Sequence, residues 1–452
     1  MALGKRHSPK RHLARPLGGD TFPRMKIVSF RDRGYDRFLA TLRRRALPGD
    51  EVRETVAGII DEVAKRGNKA LIDYASKFDG VHLKPRDLLV TESEFSEAKK
   101  AVVPSTKRAV AASLKNITEF AKRSLRKDWS YRNAEGAQVG ERFVPFDRVG
   151  VYVPGGKAPL VSTALMTAGF AKAAKVPEVL AATPCGRDGK VNPELLYALH
   201  AAGVREVIKV GGAQAVAAMA LGTTTIRPVD RVFGPGNRFV VEAKRQLVGA
   251  VSIDLLPGPS EVLVLSDKSG NPDFIAADLL AQAEHGGDSV IGFVTDSKPL
   301  LTKVEKAIGR QLKALSRADF IAEVLKKGAF AVVVKDFADG VAIANDFAPE
   351  HLSLICGDER RWLKEIRTAG AIYVGNLSAV AVGDFLAGPS HTLPTGGAGR
   401  SFSGLRADQF QRRTSIVRMD ARAVARSREV VEEFARIEGL DAHGRSVSIR
   451  CE

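Results

Sequence analysis

Gln282 and His285 stand three residues apart, so on a helix their side chains leave one face of the same turn. Neutral oxygen and nitrogen donors at that spacing make half of a divalent-metal site. Asp384 follows the apolar run 379–382 and one glycine. His391 stands seven residues on, in the rigid loop Gly388-Pro-Ser-His-Thr-Leu-Pro-Thr, and His443 lies in Asp441-Ala-His-Gly near the end of the chain. Gln282, His285, Asp384 and His443 together would offer the oxygen and nitrogen ligands that suit Zn²⁺. Glu350 and His351 form an adjacent acid–base pair for proton abstraction. Neighbours on a loop point differently, so the two would act on different protons rather than as a relay.

The elements that carry these residues can be read from the pattern. The stretch 271–286 predicts a helix, with Asn271 as N-cap, Pro272 at the first position and Gly286 as a left-handed stop. Phe274, Ile275, Leu279 and Ala283 mark its buried stripe. From about 148 short apolar runs end in glycines and lead into helical runs, which is the beat of βαβ units on a parallel sheet. Two of the turns, Gly211-Gly212 and Gly234-Pro-Gly236, follow strands directly, and glycine there lets backbone approach a phosphate at a helix start. Tyr152, Gln214 and Asn237 lie at or beside those strand ends, where a nucleotide would sit at the carboxyl edge of the sheet. A second βα series follows from Val262. Residues 31–128 read as a helical scaffold, and 421–438 as a late helix stopped by Gly439.

The fold class that results is α/β, with two Rossmann-like parallel-sheet domains, one inserted in the other, and helical extensions at both ends. The expected division is a disordered basic tail over 1–24, an N-terminal helical extension over 25–47, and a main α/β domain over 48–150 and 260–405. An inserted Rossmann-like domain, which carries the nucleotide-type glycine turns, spans 151–259, and a C-terminal extension spans 406–452.

The chain of 452 residues is 44% apolar and 27% charged, as soluble globular proteins are. No unbroken apolar run is long enough to cross a membrane. Three scattered cysteines, Cys185, Cys356 and Cys451, indicate neither a disulfide framework nor a cysteine metal site and fit the cytoplasm. The net charge of +17 invites a nucleic-acid reading. No basic run is interleaved with aromatics, so attraction of anionic cofactors is the plainer account. Met25 opens a more ordinary stretch and is a candidate for the true start.

In order along the chain, Gly211-Gly-Ala-Gln214-Ala, Phe233-Gly-Pro-Gly-Asn237, Glu242-Ala-Lys-Arg-Gln, Gly258-Pro-Ser260-Glu261, Gln282-Ala-Glu-His285-Gly, Pro349-Glu-His-Leu and His391-Thr-Leu-Pro-Thr resemble the signatures of the histidinol dehydrogenase family. The resemblance runs from about Met25 to Arg450. It implies NAD-dependent oxidation of L-histidinol through L-histidinaldehyde to L-histidine, the last step of histidine biosynthesis. It implies one Zn²⁺ per subunit on Gln282, His285, Asp384 and His443, with Glu350 and His351 as proton acceptors. It places Tyr152, Gln214 and Asn237 at NAD, and Ser260, His391 and Glu438 at substrate, together with His351 and the zinc ligands. It also implies an intertwined homodimer whose active site is shared, so that Glu438 and His443 come from the partner chain. Ser390, where the family usually has Asn, and Pro257, where Ala is common, depart from its pattern. Relatives that oxidise other small polyols, such as a sulfopropanediol dehydrogenase, share much of the framework and are the alternative.

Overall fold

A computed structural model describes residues 25–43, 49–155 and 159–452; the expected basic tail over 1–24 lies outside them. In chain order the strands are β1 (Lys26–Ser29), β2 (Trp129–Arg132), β3 (Gln138–Pro145), β4 (Arg148–Tyr152), β5 (Glu178–Ala182), β6 (Glu206–Ile208), β7 (Arg231–Phe233), β8 (Ser252–Ile253), β9 (Glu261–Ser266), β10 (Val290–Thr295), β11 (Ala329–Val333), β12 (His351–Ile355), β13 (Ala371–Val374) and β14 (Gln411–Arg418). Two parallel sheets result, one ordered β6-β5-β4-β7-β8 and the other β1-β11-β10-β9-β12-β13. All strands of the first fall between β1 and β9 of the second, so one α/β unit is inserted in the other.

Parallel strands covered on both faces read as continuous apolar runs, and β9, β11 and β12 are buried throughout. Alternation then sorts side chains to opposite faces. In the six-stranded sheet Val262, Val264, Ile291 and Phe293 enter one core, while Leu263, Leu265, Val294 and Leu352 enter the other. In the five-stranded sheet Val149, Val151 and Val153 face one core, and Tyr152, Leu180 and Ile208 the other.

The structure departs from expectation in several places. Lys26–Ser29, placed by its sequence in a helical extension, is an edge strand paired in parallel with β11. Four residues cannot show helical or strand periodicity, so only the partner decides. The helix Asp50–Arg66 buries Val52, Val56, Ile59 and Val63, and the helix Pro104–Ser124 buries Val110, Ile117 and Ala121. Both sets of apolar contacts are with the five-stranded sheet, not with the sheet built from 260–405. A third sheet, β14-β3-β2, is antiparallel and was not foreseen. Its strands are largely exposed and charged, so they lack the apolar alternation that marks a strand in sequence.

The helix Pro272–Ala283 starts as expected, with the Asn271 side chain accepting from the N–H groups of Asp273 and Phe274. It stops at Ala283, and Gly286 is not left-handed. Phe274 is 44% exposed and leaves the stripe to Ile275, Leu279 and Ala283. The late helix Ala421–Glu438 does end at a left-handed Gly439, φ 67°. Among the described residues no helix is long and apolar enough to cross a membrane, and the three cysteines are free.

Candidate active site

In a parallel βα sheet each helix runs back toward the strand's amino end. The helix Pro272–Ala283 therefore delivers Gln282 and His285 to the edge where β9 and β12 begin. Ser260 precedes β9 and Glu261 opens it; Glu350 precedes β12 and His351 is its first residue. The short helix Val380–Phe385 adds Asp384, and the loop after it adds His391. The chemistry thus gathers at the amino edge of the six-stranded sheet.

These groups form one connected chain. The Gln282 amide donates to Ser260 Oγ at 2.8 Å, and the Ser260 hydroxyl donates to Glu350 Oε2 at 2.6 Å. The Glu261 N–H also donates to Glu350 Oε2, at 2.8 Å. His351 Nδ1 lies 2.9 Å from the Glu261 carbonyl and 3.5 Å from Glu350 Oε2. Its Nε2 faces Asp384 Oδ1 at 3.4 Å, and His285 Nε2 lies 4.0 Å from Asp384 Oδ2. His391 Nδ1 reaches the Asp384 carbonyl at 3.1 Å, and its Nε2 reaches Thr163 Oγ1 at 3.0 Å. Thr163 lies on the helix Val161–Ala173 of the other α/β unit, so His391 bridges the two units.

Burial pushes the Glu350 carboxyl above its ordinary range, against the opposing pull of His351 and Ser260. Burial alone would lower His351, but the Glu350 and Asp384 carboxylates outweigh it and raise it to about 9. Burial would raise Asp384, yet the surrounding imidazoles, His351 first, hold it below the usual range. Burial lowers His391.

Gln282, His285 and Asp384 suit a divalent ion. The Gln282 amide nitrogen is used by Ser260, which leaves its oxygen to ligate. His285 Nδ1 leans on the Ala281 carbonyl at 3.3 Å, which leaves the Nε2 lone pair toward Asp384. Ligands held at about 2 Å from one ion can be up to about 4 Å apart, and a small rotation of the half-exposed His285 would tighten the observed gap. Among the described residues no group of three His, Cys, Asp or Glu could hold a metal, so one chain offers only this partial set. His443 and Glu438 are exposed on the C-terminal helices, and neither side chain hydrogen-bonds or ion-pairs with the cluster.

The expected cofactor residues lie on the carboxyl edge of the five-stranded sheet. The Tyr152 hydroxyl accepts from the Gly212 N–H at 3.0 Å, and burial raises the phenol to about 12. Gln214 is buried; a Cβ on Gly212 would meet its side-chain oxygen at 2.6 Å. Asn237 caps the helix Arg238–Gln246 by accepting from Phe239 and Val240 N–H. A cavity of about 620 Å³ runs from Asn237, Arg238 and Phe239 to Pro257, Gly258 and Pro259, just before Ser260. Ser390, the departure in the histidine loop, is buried and donates to the Met166 carbonyl at 3.3 Å, so it anchors the loop.

Two participants escaped the sequence. Thr163 is an ordinary helix threonine until its partner is known. Asp278, one turn before Gln282, accepts from the Val380 N–H that starts the Asp384 helix, and so ties together the helices that carry Gln282 and Asp384. A carboxylate on an apolar helix four residues before Gln282 was the available signal. Burial raises Asp278 from 3.8 to about 6. The folded state therefore holds this proton more tightly than the unfolded chain; the contribution is present below 3.8 and lost as pH rises toward 6. Asp278→Asn keeps the acceptor and removes the charge. It should stabilise the protein by about 1–2 kcal/mol near pH 8, after discounting for solvent, and by nothing near pH 4. Equal gains in denaturation midpoints at both pH values would refute this.

Two parallel α/β units, with an acid–base pair and metal-type donors at one sheet edge and glycine turns at the other, have the layout of an oxidoreductase. The histidinol dehydrogenase family model matches residues 42–451. The chain is 42% identical over 424 residues to the histidinol dehydrogenase of Rhizobium meliloti (strain 1021), covering 94% of this chain and 98% of that one. It is also 42% identical over 427 residues to that of Syntrophotalea carbinolica, covering 94% and 99%. The crystal structure of histidinol dehydrogenase from Elizabethkingia anophelis superimposes with a TM-score of 0.89 at 32% identity, covering 94% of this chain and 98% of that one. The chain belongs to the histidinol dehydrogenase family. The polyol alternative finds no support among these relatives.

Proposed function

We propose that the protein oxidises L-histidinol through L-histidinaldehyde to L-histidine in the cytoplasm, using two NAD and one zinc per subunit. The observation that carries this is the single contact chain from Gln282 through Ser260, Glu350 and His351 to Asp384 and His285. Gln282, His285, Asp384 and a partner's His443 would hold zinc, which when bound would supply a Lewis acid for positioning the substrate.

The rest of the work falls to side chains. The Nδ1–H of His351 is committed to the Glu261 carbonyl, so Nε2 is the atom that takes the hydroxyl proton as hydride leaves for the first NAD. With its pKa near 9, the accepting form is populated on the alkaline side. Glu350, oriented by Ser260 and the Glu261 N–H, takes a proton from water as that water adds to the aldehyde. The hydrate then gives its hydride to a second NAD, and the water oxygen remains in the carboxylate. Ser260, His391 and a partner's Glu438 hold substrate, and Tyr152, Gln214 and Asn237 hold NAD. Purified, zinc-loaded protein given L-histidinol should form two NADH per histidine. Absence of NADH would sink the proposal.

The active site is shared in a homodimer. What supports this is a groove of about 640 Å³ beside Asp384, lined by Tyr373, Val382, Gly383 and Ser390. The C-terminal helices meanwhile expose Val430 (57%), Phe434 (60%) and Ile437 (63%), an apolar face that nothing among the described residues covers. Co-expressed His285→Ala and His443→Ala chains, each dead alone, should recover about a quarter of wild-type activity. Half the dimers would then be mixed, with one intact site of two. No recovery would mean that His443 does not act across chains.

A further inference from the structure

We infer that the buried ion pair Lys244–Asp254 is a positioning device that sets the Gly234–Asn237 turn for the cofactor; this rests on the reading of that turn as part of the NAD site. Both side chains are wholly buried. The Lys244 ammonium contacts Asp254 Oδ1 and donates to the Gly234 carbonyl at 2.9 Å. Asp254 Oδ2 accepts from the Gly234 N–H at 2.7 Å, and Oδ1 accepts from the Leu255 N–H at 2.6 Å. One ion pair therefore holds both backbone polar groups of Gly234.

That residue has no slack. Its φ is 112°, and a Cβ there would fall 2.2 Å from the Tyr152 carbonyl oxygen. Three residues on, Asn237 caps the helix on which Lys244 itself lies, so the grip closes on the turn from both ends. On its other side Asp254 opens the 254–260 segment, which crosses to the six-stranded sheet and ends at Ser260. Asn237 and Pro257–Pro259 line one cavity. The pair thus sets the cofactor wall against the wall that leads into the Glu350 chain.

An interior ion pair is a weak source of stability, because removing two charges from water costs about what their attraction returns. What it does supply is fixed hydrogen-bond directions, and here one from each partner goes to Gly234. Neither residue touches the expected substrate, so both are positioning residues.

The test uses zinc-loaded, full-length Lys244→Met and Asp254→Asn, with Lys244→Gln as the conservative rescue. NAD is varied at saturating L-histidinol, and hydrogen–deuterium exchange is followed in the peptide 231–239. Lys244→Met and Asp254→Asn should raise KM for NAD about ten-fold, leave kcat within about three-fold, and speed exchange at the turn. Lys244→Gln, which keeps a donor for Gly234, should recover most of the KM. Zinc content should be unchanged in all. Lower thermal stability with wild-type KM and wild-type exchange would make the pair a plain fold staple and overturn the inference. If Lys244→Met does not fold, Asp254→Asn, which keeps shape and one acceptor, decides by the same readings. If wild-type protein does not reduce NAD, the cofactor reading fails separately; unchanged exchange at 231–239 would then overturn the positioning, and faster exchange would uphold it.

Discussion

Asp384→Ala is expected to strip the metal and lower kcat/KM for histidinol by about 10²- to 10³-fold, the size of effect seen when an electrostatic anchor is lost from a reaction centre. Asp384 is the hub of the cluster, since its carboxylate lies 3.4 Å from His351 and 4.0 Å from His285. The imidazoles keep it ionised, which is the form a cation needs. The substitution leaves the Asp384 carbonyl in place, so the 3.1 Å contact with His391 and the loop behind it should persist. His351 should lose part of the attraction that raises it, and its pKa should fall. The checks are zinc per chain, NADH formation and a thermal melt. A folded variant that keeps a full complement of zinc and a tenth of the activity would remove Asp384 from the proposed ligand set.

Glu350→Gln is expected to split the two oxidations. Oxidation of histidinaldehyde should fall by about 10²- to 10⁴-fold, while the alcohol step should stay within about ten-fold of wild type. The amide is isosteric and can still accept from Ser260 or the Glu261 N–H, so the wall of the site should hold. What it cannot do is take a proton from water. The Glu350 carboxyl is suited to that task, because burial raises its proton affinity while Ser260 and Glu261 fix one oxygen. His351, the proposed acceptor of the hydroxyl proton, has its own anchor on the Glu261 carbonyl and does not depend on Glu350 for orientation. Single turnovers begun separately from the alcohol and the aldehyde would report the two steps. Equal damage to both would make Glu350 a general electrostatic partner rather than the base of the second step.

Much of the site was legible in the chain. Gln282 sits in the last turn of the helix that Asn271 caps, and His285 lies two residues beyond its end. The spacing of Asp384 and His391 survives as a short helix and a loop that bends back on it. Glu350 and His351 proved closer than adjacent loop residues were expected to be, at 3.5 Å, but Nδ1 is taken by a carbonyl and no relay forms. The Lys244–Asp254 pair was invisible: a lysine on a helix with charged neighbours reads as solvated, and nothing in the sequence marks the aspartate ten residues on as its partner.

Local physics explains what the amino acids alone determined. A helix shows itself through the 3.6-residue recurrence and its cap, a buried parallel strand through an apolar run, and a nucleotide-type turn through glycine. Those signals sit within a dozen residues, so they marked nearly every element of the two parallel sheets. Which edges would meet was decided only in three dimensions. The chemistry settled at the amino edge of one sheet, opposite the carboxyl edge of the other, because the 254–260 crossing and the His391–Thr163 contact join them there. The edge strand β1, the polar sheet β14-β3-β2 and the place of Glu438 and His443 outside their own chain's cluster belong to the same category. The pairings β1–β11 and β14–β3 join groups hundreds of residues apart, and no periodicity in a short window can encode a partner at that distance.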